Sequence, residues 1–218
     1  CASVFAIAGA VAYAAVHARP LNAYALVPGA EIPFVQKTLH DSNFAASPSF
    51  APTMSAVIIT KNIQVAAMAF AGGMTLGVLT IWAILNNGLA IGALGALFAA
   101  KGFGLDFLAT IAPHGVIEIT AIQIAGAAGL LLAAGILAPG PLRRTDALKV
   151  NARRALTLLV GVACLLVVAG TIEGFFSPLR TPVSVRLAAG AFTAVALGTY
   201  FIGGFWLSRR DRHRVAQR

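Results

Sequence analysis

Hydrophobic and polar positions alternate along this chain in long blocks. Apolar runs cover roughly residues 1–16, 63–84, 87–100, 114–138, 155–173 and 185–207, and the stretches between them are short and polar or basic. A helix needs ~20 apolar residues to cross a bilayer. The pattern therefore predicts an all-α membrane helix bundle of about six transmembrane helices. One long hydrophilic stretch interrupts it, residues 17–61, which carries Pro20, Pro28, Pro33, Pro48 and Pro52. Prolines at that density break helices, so an extramembrane loop with at most short helical turns is expected there. The predicted organisation is a first transmembrane helix over 1–16, the loop over 17–61, the bundle over 62–207 and a basic cytoplasmic tail over 208–218. The chain opens at Cys1 inside an apolar run. The expectation is a truncated first helix whose cytoplasmic start is not included, in preference to a lipidated amino-terminal cysteine.

The block 62–101 admits two arrangements. It is long for one crossing and short for two, and Asn86, Asn87 and Gly88 interrupt it. In the first arrangement two short helices meet at a turn made by Asn87 and Gly88, with Asn62 capping the leading helix. In the second, a single crossing is followed by a re-entrant half-helix that carries Asn86 and Asn87 into the protein interior.

Composition agrees with the block pattern. Hydrophobic residues make up 59% of the chain and charged residues 11%, against about a quarter charged in a soluble domain. The formal net charge of +9 raises the question of nucleic acid. The basic residues, however, cluster in the 139–154 loop (Arg143, Arg144, Lys149, Arg153, Arg154) and in the tail (Arg209, Arg210, Arg212, Arg214, Arg218), without interleaved aromatics. That is the signature of cytoplasmic loops beside anionic lipid, so the expected partner is the bilayer and no nucleic acid. Both clusters then lie on the cytoplasmic side of the membrane, and residues 101–113 and 174–184 lie outside. Cys1 and Cys164 supply neither a disulfide framework nor a metal cluster.

Ionisable residues within apolar runs carry the candidate chemistry. His114 and Glu118 lie four residues apart in Pro113-His114-Gly115-Val116-Ile117-Glu118, a spacing that puts both on one helical face. Pro113 is suited to open that helix, since its missing N–H would be unpaired at the first position. Glu173 closes the fifth run just where the fourth begins, and consecutive helices joined by a short loop pack antiparallel. The three side chains are therefore expected to share a polar pocket near the outer leaflet, where an ionisable group is costly unless paired or functional. As metal ligands His114, Glu118 and Glu173 would be a poor zinc set, and no HExxH occurs, so no cofactor and no catalytic residue is assigned. Ser177, in Phe-Phe-Ser-Pro, lacks the strained elbow of a nucleophile. Glycine pairs at 73/77, 88/92 and 170/174, with Gly126 and Gly129, suit close helix packing and leave a homo-oligomer open. Trp82, Tyr200 and Trp206 read as interfacial or packing residues.

Lys61-Asn62, residues 70–77, Asn87-Gly88-Leu89-Ala90-Ile91-Gly92, His114-Gly115-Val116-Ile117-Glu118-Ile119 and Ile172-Glu173-Gly174-Phe175 together resemble the stage II sporulation protein M family over residues 55–180. The resemblance implies a multi-pass protein that works beside peptidoglycan hydrolases as a non-enzymatic scaffold in cell-envelope remodelling, with envelope proteins as partners. It also raises the importance of Asn62, Asn86, Asn87, Gly88 and Gly115 around the pocket. Two other functions remain open on the residues alone: a transporter or channel using the His/Glu pocket, and an intramembrane metal-assisted hydrolase.

Overall fold

The computed structural model describes residues 1–27, 29, 32, 36, 51–176, 179 and 181–216, with the side chains of 51–58 and 210–216 outside that description. Most of the loop expected over 17–61, and Ser177, therefore lie outside the described residues. Among those described there is no strand.

The elements are α1 (Ala2–Ala18), a 3-10 turn (Pro20–Asn22) leading into a short α2 (Ala23–Leu26), α3 (Ala51–Ala71), a second 3-10 turn (Gly72–Thr75), α4 (Val78–Ala100), α5 (Gly104–Leu137), α6 (Arg144–Phe175) and α7 (Val183–Ala216). Among the described residues four helices, α4 to α7, are long and apolar enough to cross a membrane, and α1 is apolar but shorter at 17 residues. The count expected from the pattern was about six.

Three boundaries differ from the sequence reading, each for a local reason. The chain reverses at residues 72–77, not at Asn86–Gly88. Leu76 (φ 58°) and Gly77 (φ 86°) adopt the left-handed conformation that the reversal needs. Gly73 packs there with its Cα against the backbone of Gly129, where a Cβ would overlap the chain. Asn86, Asn87 and Gly88 thus sit inside α4, and Asn62 sits inside α3 instead of capping it. Second, α5 does not open at Pro113. Gly102 (φ 83°) turns the chain after α4, the Phe103 N–H bonds the Phe98 carbonyl, and the helix starts at Gly104. Stacking of Phe98 on Phe107, centroids 5.1 Å apart, pins that early turn, and Pro113 is carried fully buried within the helix. It can supply no N–H to the ladder there, at a cost tertiary packing must offset. Third, the basic residues 144–154 belong to the first turns of α6 and α7 continues to Ala216, so neither basic segment is a plain loop or tail.

Helices α3, α4, α5, α6 and α7 alternate in direction. Gly135 faces Leu148 and Asn151 at one end of the α5–α6 pair, and His114 faces Glu173 at the other. Gly170 of α6 lies against Ile59 of α3. Helix α1 lies parallel to α4, with the Phe5 carbonyl on Gly88 and the Gly9 carbonyl on Gly92. The central core joins Ala66 and Ala69 of α3, Ala83 and Ile84 of α4, Ala121, Ile122 and Ala125 of α5 and Val162 of α6. Alanine and glycine dominate these contacts because backbones that approach closely gain dispersion energy, the main attraction left where lipid is as apolar as the side chains. Ala23 and Val27, just past α1, bury against α4 beside Ala93 and Ala96, so the start of the predicted loop is packed.

A buried polar cluster between three helices

Helix α5 presents His114, Glu118, Ala121, Ile122 and Ala125 on its buried side, the i, i+4 step having placed the two ionisable groups one turn apart. Glu173 projects from the last turn of α6, three residues before the C-cap Phe176. The three residues are 4%, 6% and 5% exposed, buried as deeply as the apolar core around them. His114 Nδ1 lies 2.7 Å from Glu173 Oε2. Its N–H vector is bent off the line of a good hydrogen bond, so the attraction is chiefly that of an ion pair when the imidazole carries its second proton. Glu118 is engaged from the other side: the Asn62 amide of α3 donates a hydrogen bond to its carboxylate. His114 and Glu173 join α5 to α6, and Glu118 and Asn62 join α5 to α3.

Asn87 lies within α4 with its amide nitrogen buried. The Thr80 hydroxyl of α4 donates to the Ala69 carbonyl of α3 at 2.7 Å. Ala83 of α4 and Ala66 of α3 are buried in one cluster beside that bond. Asn87 is seven residues from Thr80 and so shares its helical face. Asn86 points elsewhere and donates to the Trp82 carbonyl one turn back, at 2.8 Å. Gly88 seats the Phe5 carbonyl, and Gly115 is buried in the first turn after Pro113, where a Cβ would collide with Ile111. Of the expected set, then, His114, Glu118, Glu173 and Asn62 converge, while Asn86, Gly88 and Gly115 serve the helices themselves.

Three polar residues escaped the sequence reading. Thr80 is fully buried and ties α4 to the end of α3. Gln123 buries both amide atoms without a protein partner, and as the single amide in the 114–138 run it was visible in principle. Arg186, near the start of α7, donates to the Thr110 hydroxyl at 3.2 Å and to the Leu179 carbonyl at 3.0 Å. Thr110 lies one turn before His114, so this guanidinium fastens the α6–α7 connection above the cluster. Nothing in the sequence marks Thr80 or Arg186 apart from other polar residues at span ends.

Chemically, the arrangement sets an imidazole against a carboxylate between α5 and α6. Among the described residues no group of three or more His, Cys, Asp and Glu side chains is placed to hold a metal ion. His114, Glu118 and Glu173 accordingly do not form a three-ligand set. Trp82, Tyr200 and Trp206 are 51%, 72% and 61% exposed on the bundle surface, away from the cluster.

A family model described as Stage II sporulation protein M matches residues 1–178. The match takes in every member of the polar cluster and ends just after α6. No match is found among curated proteins or among solved structures.

Proposed function

The chain belongs to the Stage II sporulation protein M family, and from that premise we propose that it is a multi-pass scaffold of the bacterial cytoplasmic membrane, acting without catalysis in cell-envelope remodelling. One observation carries this reading. The ionisable groups of the bundle bind across helices, His114 to Glu173 and Glu118 to Asn62, in place of facing an open reaction centre. Groups paired in this way hold α3, α5 and α6 in a fixed relation and give the Lys101 end a defined surface that a partner can recognise.

In the proposed topology α1 and α3 also cross, for six crossings in all. The basic turns at 143–154 and the end of α7 lie on one side, which the positive-inside rule makes cytoplasmic. The α4–α5 turn around Lys101, with exposed Leu105 and Leu108, then faces the cell wall. The partner expected there is a peptidoglycan-cleaving enzyme or the protein that tethers one. Photocrosslinkers at residues 105 and 108 test this in living cells. The reading expects capture of such an envelope protein, with capture lost when His114 and Glu173 are both replaced. Capture of lipid alone from both positions would contradict it.

A transport role is the second reading, favoured by the depth at which two carboxylates and an imidazole are buried within a glycine-rich bundle. It expects proton or ion flux in proteoliposomes that Glu118→Gln abolishes, and flux indifferent to that change would count against it.

A further inference from the structure

Two amides in the bundle keep hydrogen-bonding groups that no protein atom meets. Asn87 Nδ2 on α4 is buried without an acceptor, and on α5 both Nε2 and Oε1 of Gln123 are buried without partners. The packing of α4 on α5 sets them at one level. A Cβ on Gly77 would meet Leu130, one on Gly129 would meet the Thr80 hydroxyl, and one on Gly126 would meet Ile84. The contact thus runs antiparallel through 77/130, 80/129 and 84/126, and Ile84 shares a core cluster with Ile122. One further step on each contacting face, three residues on along α4 and three back along α5, sets Asn87 against Gln123. Stranded buried amides forfeit the hydrogen bonds they had in water, and lipid supplies none in exchange.

We propose that Asn87 and Gln123 form a binding site for one water molecule between α4 and α5. The water accepts from Asn87 Nδ2–H and from Gln123 Nε2–H, and it donates one hydrogen to Gln123 Oε1. A primary amide presents an N–H and its carbonyl oxygen on the same edge, so one water closes a ring with Gln123 while it holds Asn87. Three hydrogen bonds are the usual complement of a buried water. The bridge ties α4 to α5, as His114 and Glu173 tie α5 to α6. It does not depend on the scaffold reading, because it concerns only the contact between these two helices.

Two measurements on the full chain in lipid test it. The first is water-to-protein polarisation transfer in solid-state NMR, with both side-chain NH2 groups assigned through their backbones. Cross-peaks at the water frequency are expected for Asn87 and for Gln123, and Gln123→Met should remove the one at Asn87. Absence of either cross-peak in the unaltered chain, or persistence of the Asn87 signal in Gln123→Met, would overturn the site. The second is thermal unfolding of Asn87→Leu, Gln123→Met and the chain with both changes, each replacement near-isosteric and apolar. A shared water makes each single change lower the midpoint, because the remaining amide is stranded, and makes the double change recover much of that loss. Single changes that raise the midpoint, or losses that simply add in the double variant, would overturn it. Where a variant does not fold, the spectra of the unaltered chain decide.

Discussion

Removing the imidazole of His114 takes one cross-helix partner from the Glu173 carboxylate, which is buried at 5% exposure. Breaking a buried pair from one side is expensive, typically ~3–5 kcal/mol. His114→Ala should therefore lower the midpoint of unfolding in detergent by more than Thr80→Val does. The latter removes one hydroxyl donor from the Ala69 carbonyl and should cost ~1 kcal/mol. Glycines divide just as sharply. Gly73→Ala puts a methyl into the backbone of Gly129 and should abolish stable expression, while Gly198 and Gly203 have nothing within contact distance of a Cβ. Gly198→Ala and Gly203→Ala should therefore stay within ~0.5 kcal/mol of the parent chain. Expression and thermal unfolding of the five variants side by side would check the ordering. At this level much was legible in advance. His114, Glu118 and Glu173 stand out because an ionisable side chain in an apolar run is rare and must be accommodated. Thr80 was not legible, since a threonine in an apolar run carries no penalty that distinguishes a hydrogen-bonded hydroxyl from one that bonds its own helix.

Helix boundaries were read less well, and for one recurring reason: local turn chemistry competes with tertiary packing. Asn87-Gly88 is a strong turn signal, yet Gly88 is used to admit the Phe5 carbonyl of α1, and the actual reversal falls at Gly72–Gly77. Pro113 is a strong helix-start signal, yet α5 begins at Gly104, beside the stacking of Phe107 on Phe98 and about two and a half turns earlier. In both cases a contact between helices remote in sequence overrides the local preference, and one sequence shows no such contacts. The relocated turn has a consequence that can be measured. Asn86 and Asn87 lie mid-helix, so cysteines placed there should resist aqueous maleimide, whereas a cysteine at the exposed Met74 beside the turn should react. Equal labelling at 74 and 87 would contradict the helix assignment.

For the molecule as a whole, the all-helical membrane class was the most readable property, with four described helices long and apolar enough to cross and a shorter apolar α1 beside them. Arg143, Arg144, Lys149, Arg153 and Arg154 cluster at one end of the bundle, opposite Lys101 and the polar cluster. Their only ion pair among the described residues is Lys149 with Asp146 at 3.8 Å, both exposed, which adds little. This leaves the positive charge at that end largely available to anionic headgroups. Helix α3 begins within the proline-bearing segment that reads as loop, at Ala51, and α1 is short at 17 residues. What the fold adds is the placement of the cluster near one end of the bundle, with α6 and α7 joined above it by Arg186.

The account rests on His114 and Glu173 acting as one unit, and a double-mutant cycle measures that directly. His114→Ala, Glu173→Ala and the pair of changes together should give an interaction energy of more than about 1 kcal/mol in reversible unfolding within lipid–detergent micelles, as expected for residues in contact. Single losses that simply add, to within ~0.5 kcal/mol, are the behaviour of separate sites, and they would contradict a clasp between α5 and α6.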